Sequence, residues 1–427
     1  MTLPAAAHPA GLASRVVAWR ALAALEDGSH DRLADALDVS SVDARDAGFA
    51  RELAFGAVRH APLYDALADR FLRRGRQPAA VRHALRLAAH QLFACDQVPP
   101  HAVGQTAAEL LRLAGQPHVV GVVNAVIRRL AELRLDVRQD DGPLGRLAAA
   151  DHPADEAARF SLPRSFVNDL APVLDGLVGS DRDSAAVVAD RAARLQVLTR
   201  LPPLCTRLRP GPRIPPGSSV VRQDGDWWWW DDPQEALRGP VADGRCVVQD
   251  RAQAEAILLA APKPLERVLD YCAAPGGKAL LLHDLGCRVV AADVAGPRLA
   301  RLRSNVPNTV PVIAHDGRKP PFAAGSFDLV VVDAPCSNTG VLARRPEAAR
   351  RYTEQNLANL VGLQRRLLRS AADLVAPDGR LLYATCSLTP RENQGIAHGL
   401  KGWRIWREQL RWPDGWLGGG YAAVLVR

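Results

Sequence analysis

An acid and two thiols stand at the ends of apolar runs in the C-terminal half of this chain. The segment "VVVDAPCSNTG", residues 330–340, closes a predicted buried strand with Asp333 and places Cys336 three residues later. A second predicted strand, "GRLLYATCSL", runs into Cys386. Thiols beside an acid indicate nucleophilic catalysis by an activated cysteine. Taken alone, the first motif favours Cys336 as the nucleophile.

The cysteine pattern does not support a metal site or a disulfide framework. The seven cysteines form no C-x-x-C pair, and none lies at zinc-finger spacing from histidines. We therefore expect no metal. Each cysteine outside the two strand ends, such as Cys287, is interpreted as a small buried hydrophobic residue.

The segment "LDYCAAPGGK", residues 269–278, ends the first of several predicted strands that alternate with helices. It lacks the G-x-G-x-x-G dinucleotide fingerprint, and Ala279 replaces the hydroxyl residue of an ATP-binding P-loop. Acids end the next two strands, at Asp293 and Asp316, where they suit the ribose and the adenine amino group of an adenosine. A helix cap is the alternative for either aspartate alone. We predict that the chain binds S-adenosylmethionine.

Two thiols and an acid around S-adenosylmethionine favour methylation at carbon rather than at nitrogen. The C5 atom of cytosine is a poor nucleophile until a thiolate adds to C6 and leaves an enamine. The acid would hydrogen-bond the ring edge and stabilise the adduct. A base in structured RNA must also be unstacked to reach such a pocket. An aminomethyltransferase, the alternative within this class, has no use for two cysteines.

Three regions of different pattern position these residues, and together they predict an α+β multidomain fold. Residues 1–138 show helical periodicity with short Pro- or Gly-containing connections, which predicts an all-α domain. Residues 154–262 follow a Gly/Asp/Ala-rich linker and predict a small mixed α/β region that contacts RNA. Residues 263–427 alternate strands with helices, which predicts a doubly wound, Rossmann-like α/β domain.

The middle region carries its own expectations. The segments "LQVLTRL", "SSVVRQ" and "CVVQD" predict short strands, and "SLPRSFVNDL" predicts a helix. The run of four tryptophans, Trp227 to Trp230, predicts an edge strand with alternate rings packed inward. A base-stacking platform is the alternative.

The chain carries a formal net charge of +8, which suits a polyanionic partner. Most of that charge is arginine, and the bias of a GC-rich genome would also produce it. Lysine occurs only at positions 263, 278, 319 and 401, so we expect Lys278 to have a specific role. The first residues lack a signal-peptide pattern, and no apolar run is long enough to cross a bilayer. We expect a cytoplasmic protein.

The motifs "DYCAAPGGK", "VVVDAPCSNTGVL" and "YATCSLTPREN" closely resemble those of the RNA 5-methylcytosine methyltransferases. The segments "ARELAFGAVR", "LRLAAHQLF" and "VVNAVIRRL" resemble the NusB-like RNA-binding domain. That domain precedes a class I methyltransferase domain in the Sun/Fmu (RsmB) branch, which methylates a cytosine of small-subunit ribosomal RNA. The resemblance covers nearly the whole chain. It implies a structured RNA as partner rather than DNA or a membrane, and we expect a monomer.

The resemblance also implies a role for each site residue. Cys386 is the nucleophile on C6, Cys336 assists product release as a base or an acid, and Asp333 contacts the target base beside the cofactor. Asp293 takes the ribose, and Asp316 lies near the adenine. The loop that holds the methionine end of the cofactor consists of Cys272, Ala273, Ala274, Pro275, Gly276, Gly277 and Lys278.

Asn338 departs from the family pattern, because many members have glycine there. The loop after Cys336 must accept it, and asparagine tolerates left-handed backbone better than most residues. The arginines of "ARRPEAARR", which follow this loop, either grip phosphates or form a solvated helix face. The alternative functions are methylation of another RNA such as tRNA, and ribosome assembly or antitermination by an RNA-binding protein with a vestigial methyltransferase fold.

Overall fold

The structure is a computed structural model, and it describes residues 11–73, 75–137, 142–179, 184–211, 214–317 and 319–427. It divides into two compact units, one of Met1–Asn168 with Leu342–Arg351 and one of Asp169–Val341 with Tyr352–Arg427. Residue 138, the predicted end of the helical domain, lies outside the described residues. The division into three regions stays a prediction.

Helices build the N-terminal part of the first unit, and the predicted all-α domain is confirmed for the described residues. They are α1 (Leu12–Glu26), α2 (Leu33–Ala36), α3 (Ala44–Arg59), α4 (Ala61–Asp69), α5 (Ala79–Ala94), α6 (Pro100–Leu113), α7 (Val120–Glu132) and α8 (Glu156–Arg159), and α9 (Arg164–Val178) begins there. Helix α5 packs against α1, α3, α4, α6 and α7. It can do so because Val81, Leu85 and Leu92 recur on it at helical spacing and are all buried.

A four-stranded antiparallel sheet opens the second unit, after α10 (Ala185–Val197). Its strands are β1 (Leu204–Leu208), β2 (Val220–Asp224), β3 (Trp227–Trp230) and β4 (Cys246–Val248), in the order β2-β3-β1-β4. Helix α11 (Pro233–Arg238) lies between β3 and β4 in the chain. The predicted strand "LQVLTRL" is wrong, because its first three residues end α10. A short apolar run does not distinguish a strand from the last turn of a helix rich in Ala, Leu and Arg.

The prediction of an edge strand for the tryptophan run is also wrong. Strand β3 lies between β2 and β1, and both faces of the sheet are covered. Trp229 packs on one face with Cys205, whereas Trp228 and Trp230 pack on the other with Ala236. Three of the four rings are therefore buried core and cannot stack on an RNA base.

A seven-stranded sheet follows, with the order β10-β11-β9-β8-β5-β6-β7. Its strands are β5 (Arg267–Asp270), β6 (Arg288–Asp293), β7 (Val312–Ala314), β8 (Phe327–Asp333), β9 (Val375–Thr385), β10 (Arg404–Arg411) and β11 (Gly420–Val426). Five neighbouring strands, β9, β8, β5, β6 and β7, are parallel to one another. Strands β11 and β10 continue the sheet beyond β9 with antiparallel pairing. This confirms the predicted Rossmann-like domain.

The helices of this part are α12 (Arg251–Leu259), α13 (Gly277–Asp284), α14 (Pro297–Asn305), α15 (Glu347–Arg350), α16 (Glu354–Ala372) and α17 (Gln394–Ala397). Residues of α12, α13 and α14 share one buried cluster with Val268, Leu329 and Val331 of the sheet. Helix α16 packs against β8 and β9. Leu329 to Val332 are fully buried, as expected for a parallel strand covered on both faces.

Within the described residues, no helix is long and apolar enough to cross a membrane. Nor do three or more His, Cys, Asp or Glu side chains of that part gather as a metal site would require. All seven cysteines are described, and each is a free thiol.

Candidate active site

The topology brings the predicted site residues to one edge of the large sheet. Asp293 ends β6 and Asp333 ends β8, while Cys386 directly follows β9. Asp316 lies two residues beyond β7. Since Asp333 pairs with Ala384 in the β8–β9 register, the acid and Cys386 lie on neighbouring strand ends. The carboxyl edge of a doubly wound sheet is where ligands bind.

The glycine turn between β5 and α13 packs tightly against the end of β6. Gly276 has φ +116°, and a Cβ there would lie 3.1 Å from Val306, so the turn requires glycine. The backbone N–H of Ala274 donates to Asp293 Oδ2 at 2.9 Å. Asn305 Nδ2 donates to the Pro275 carbonyl at 2.9 Å. The turn therefore leads rigidly into the N-terminus of α13, whose N–H groups suit an anion.

Asp293 is buried, and its carboxylate is fully engaged. Besides the Ala274 bond, it accepts from its neighbour Val294 N at 2.8 Å and from Arg298 Nε and Nη2 at 3.1 and 3.2 Å. The hydrogen bond to Asp293 raises the pKa of Arg298. Arg298 was not among the predicted residues, because an arginine in the first turn of a helix has many possible partners.

Lys278 forms an ion pair with Asp333 beneath the site. Its Nζ donates to Asp333 Oδ2 at 2.7 Å and to Gln253 Oε1 at 2.6 Å. Burial alone would lower the pKa of Lys278, but the Asp333 carboxylate outweighs it and the pKa is raised. The rare lysine is therefore charged and fixes the acid. Gln253 comes from α12, which no sequence motif linked to the site.

Asp270, the last residue of β5, is a further site acid that the sequence analysis missed. Burial raises its pKa to about 7, the Asp333 charge adds to the rise and the Lys278 charge opposes it. The signal was present, since Asp270 is the acid within the quoted motif "LDYCAAPGGK". Its raised pKa, however, results mainly from burial, which the motif does not reveal.

The two thiols of the strand-end loops are in contact. Cys336 Sγ and Cys386 Sγ lie 3.2 Å apart. The hydrogen bond with Cys386 and burial raise the pKa of Cys336 well above its usual range. Asn338 bridges the pair, because its Oδ1 accepts from Cys386 Sγ at 3.2 Å and its Nδ2 donates to the Cys336 carbonyl at 2.9 Å. Asn338 has φ +60°, the left-handed conformation expected at this position.

Cys272 and Cys287 are two further cysteines of the second unit. Cys287 packs in the buried cluster of the large sheet, as predicted, and burial raises the pKa of Cys272 in the glycine turn.

In the first unit, Arg350 pairs with Glu26 at 2.7 Å and Arg351 lies 3.8 Å from Asp31. Arg350 and Arg351, which follow the loop after β8, thus have carboxylate partners.

Comparison with known proteins identifies both parts of the chain. Residues 256–405 match the family described as 16S rRNA methyltransferase RsmB/F, and residues 12–132 match the NusB family. The ribosomal RNA small subunit methyltransferase B of Xanthomonas campestris pv. campestris is 33% identical over 402 residues, which cover 90% of this chain and 86% of the relative. The protein of the same name from Xylella fastidiosa is 32% identical over 398 residues, covering 90% and 87%.

A solved structure shares the fold over the whole length. The crystal structure of PH0851 covers 100% of both chains with a TM-score of 0.72, at 20% sequence identity. At that identity the likeness concerns the fold alone.

Proposed function

The chain belongs to the family of ribosomal RNA small subunit methyltransferase B, which depends on S-adenosylmethionine, and we propose that it methylates C5 of a cytosine in small-subunit ribosomal RNA through a covalent cysteine adduct. The observation that carries the proposal is the contact between Cys336 and Cys386, 3.2 Å apart beside the Asp333–Lys278 ion pair. Methylation at nitrogen requires no thiol, whereas methylation at C5 uses one to activate the ring and a second group to release it.

The residues around the glycine turn fit the cofactor. N–H groups at the start of α13 suit its carboxylate, and Asp293 and Asp316 offer carboxylates to the ribose hydroxyls and the adenine amino group. Arg298 holds both oxygens of Asp293, and its side chain is 57% exposed, so it can give way to a ribose diol. When bound, S-adenosylmethionine supplies an electrophilic methyl group.

Cys386 is proposed to attack C6 as a thiolate, stabilised by the hydrogen bond that Cys336 can donate. Asp333, held by Lys278, accepts a hydrogen bond from the exocyclic amino group of the cytosine. Once the Cys386 sulfur is bonded to carbon, the main cause of the raised Cys336 pKa is gone. Once C5 carries the methyl group, Cys336 can lose its proton to water and, as a thiolate, take the proton from C5. Elimination restores the C5–C6 double bond and frees Cys386.

Substitution of each thiol tests this proposal, because the two roles give opposite outcomes. Cys386→Ala is expected to abolish both methyl transfer and covalent RNA adducts. Cys336→Ala is expected to accumulate the adduct, seen as a slow band in denaturing gels, and to lower turnover at least a hundredfold. Cys95→Ala, in the helical unit, is the control and should remain active. Full activity of Cys386→Ala would show that the nucleophile lies elsewhere.

Mapping of the methylated base tests the substrate. Mass spectrometry of ribosomal RNA from cells with and without this gene is expected to show one 5-methylcytosine of the small-subunit RNA that disappears with the gene. An unchanged small-subunit RNA, with a loss in tRNA instead, would assign the protein to another RNA.

A further inference from the structure

Glu392 is a fully buried carboxylate in the loop that follows β9, within the segment "TCSLTPREN". It accepts five hydrogen bonds. Oε1 accepts from Ser337 N at 2.9 Å and from Gln364 Nε2 at 3.0 Å. Oε2 accepts from the hydroxyls of Ser387 at 2.6 Å, Thr389 at 3.0 Å and Ser337 at 2.5 Å.

Four of these five donors come from the two thiol loops, which follow β8 and β9, and the fifth comes from Gln364 of α16. Ser337 directly follows Cys336, and Ser387 directly follows Cys386. One carboxylate therefore ties together the residues next to the two reacting sulfurs. A network in which every lone pair is used holds its geometry more rigidly than single bonds do. The 3.2 Å contact between the sulfurs depends on this arrangement of the loops.

All five donors to Glu392 are neutral amides or hydroxyls. A buried carboxylate without a cation is costly unless hydrogen bonds stabilise its charge, and five such bonds supply that stabilisation. The negative charge then acts on its surroundings instead of being cancelled by an ion pair. It adds to the causes that raise the pKa of Cys336, after the hydrogen bond with Cys386, burial and the charge of Cys386.

We propose that Glu392 is a positioning residue that clamps the two thiol loops in register and places a negative charge beside Cys336. The inference rests on the roles proposed above for Cys336 and Cys386. The other ionisable groups around the thiols are Tyr383 on β9 and the Lys278–Asp333 ion pair. None of them bridges the two loops as Glu392 does.

Glu392→Gln tests the charge, because it keeps the size of the side chain and most of its hydrogen bonds. The rate at which iodoacetamide alkylates Cys336 is measured against pH in the full chain, by mass spectrometry of tryptic peptides. Cys336 and Cys386 lie on different peptides, since Arg344 and Arg380 separate them. We expect the pH midpoint of Cys336 alkylation to fall by at least half a pH unit. The kcat of methyl transfer should fall at least tenfold, with KM for RNA changed less than twofold.

Glu354→Gln is the matched control. This substitution removes the same negative charge near the loop after β9, but Glu354 is 75% exposed and pairs with Arg391. This variant should leave the midpoint and kcat unchanged. A midpoint for Cys336 that is the same in Glu392→Gln and in the wild type overturns the proposal.

Glu392→Asp separates the clamp from the charge. Aspartate keeps the charge but is too short to reach both loops, so we expect the Cys336 midpoint to stay and kcat to fall. Should Glu392→Gln fail to fold, Ser387→Ala removes one donor and leaves the carboxylate. It should lower kcat at least threefold at unchanged KM for RNA, and an unchanged kcat would refute the clamp.

The alkylation experiment requires neither RNA nor methyl transfer. An unmoved Cys336 midpoint is therefore distinct from a failure of the proposed function, which would appear as an active Cys386→Ala enzyme.

Discussion

At the scale of single residues, Lys278 offsets the negative charge of the site carboxylates. It donates to Asp333 and Gln253, and its charge also lowers the proton affinity of Asp270. Asp270, Asp293, Asp316 and Asp333 all lie at this edge of the sheet, with Lys278 and Arg298 as the paired cations. Asp333 is paired with the lysine, whereas burial and the Asp333 charge raise the pKa of Asp270, so the two neighbouring carboxyls differ in proton affinity.

Asp270→Asn is expected to stabilise the protein more as pH rises. Because the pKa of Asp270 is about 7 in the folded chain and about 4 in an unfolded one, the unfolded state alone ionises between those values. The stability that Asp270 contributes is thus complete below about pH 4 and is lost as pH rises to about 7. The variant escapes this loss, which amounts to about 4 kcal/mol. Urea unfolding between pH 4 and pH 8, without cofactor, measures it.

Asp328→Asn provides a control of opposite sign. The hydrogen bond from Arg267 lowers the pKa of Asp328, so that carboxyl stabilises the fold above its unfolded pKa and the variant should be the less stable one at neutral pH. Parallel pH profiles of wild type and Asp270→Asn would contradict the assignment of the raised pKa.

The loops after β8 and β9 act as one element at the next scale. Gly340 N donates to the Cys386 carbonyl at 2.8 Å, and Gly419 N donates to the Gly340 carbonyl at 2.7 Å. A third segment, the turn before β11, thus braces the two thiol loops. Backbone hydrogen bonds fix the distance between the loops where their side chains must meet.

Gly340→Ala is expected to disrupt this element. A Cβ at Gly340 would lie 2.4 Å from the Gly419 carbonyl oxygen and 3.0 Å from that of Cys386, and backbone atoms cannot move aside cheaply. We expect a loss of about 1–3 kcal/mol in the free energy of unfolding and at least a tenfold loss of methyl transfer. Thermal unfolding and a tritiated methyl assay measure the two effects.

Gly121→Ala is the matched control, since no atom lies within 4 Å of its Cβ on helix α7. It should be neutral or stabilise the helix by up to about 1 kcal/mol. Wild-type activity of Gly340→Ala would show that the loops tolerate displacement.

The four-stranded sheet supports helix α13, which follows the glycine turn of the large sheet. Arg207 of β1 pairs with Asp284 at the end of α13 at 2.7 Å, and both side chains are buried. Gln249 donates to the Gly277 carbonyl at 3.0 Å at the start of the same helix. The middle region therefore has a structural role at both ends of α13, while its contact with RNA stays a prediction.

At the scale of the whole molecule, the helical unit includes residues Leu342–Arg351, which follow the thiol loop after β8. Within that unit, Arg59 Nε donates to the Ala343 carbonyl at 3.0 Å, and Arg350 pairs with Glu26. Residues 342–351 thus contact helices far earlier in the sequence. Removal of the helices would deprive this segment of its partners.

Deletion of residues 1–138 is expected to weaken binding of structured RNA and leave cofactor affinity near normal. The net charge of +8 makes RNA binding salt-dependent, so the shortened chain should also show a smaller slope of log Kd against log salt. Filter binding at several salt concentrations measures both. Calorimetric titration with S-adenosylmethionine is the control for folding. Equal RNA affinity of the two chains would argue against an RNA-binding role for the helices.

The sequence by itself determined the fold class and the set of strand-end residues. Apolar periodicity reveals helices and strands locally, and parallel strands bring Asp293, Asp333 and Cys386 to one edge whatever the loops do. The left-handed conformation of Asn338 was also predictable, because it depends on backbone sterics alone.

Only the tertiary structure decided the electrostatics and the support of the site. The pKa of Asp270, the contact of Gln253 with Lys278 and the bonds from Ser337 and Gln364 to Glu392 depend on residues distant in sequence. The inner position of the tryptophan strand likewise depends on which strands pair with it on either side. Burial and hydrogen-bond partners are properties of the packed chain, and a motif does not contain them.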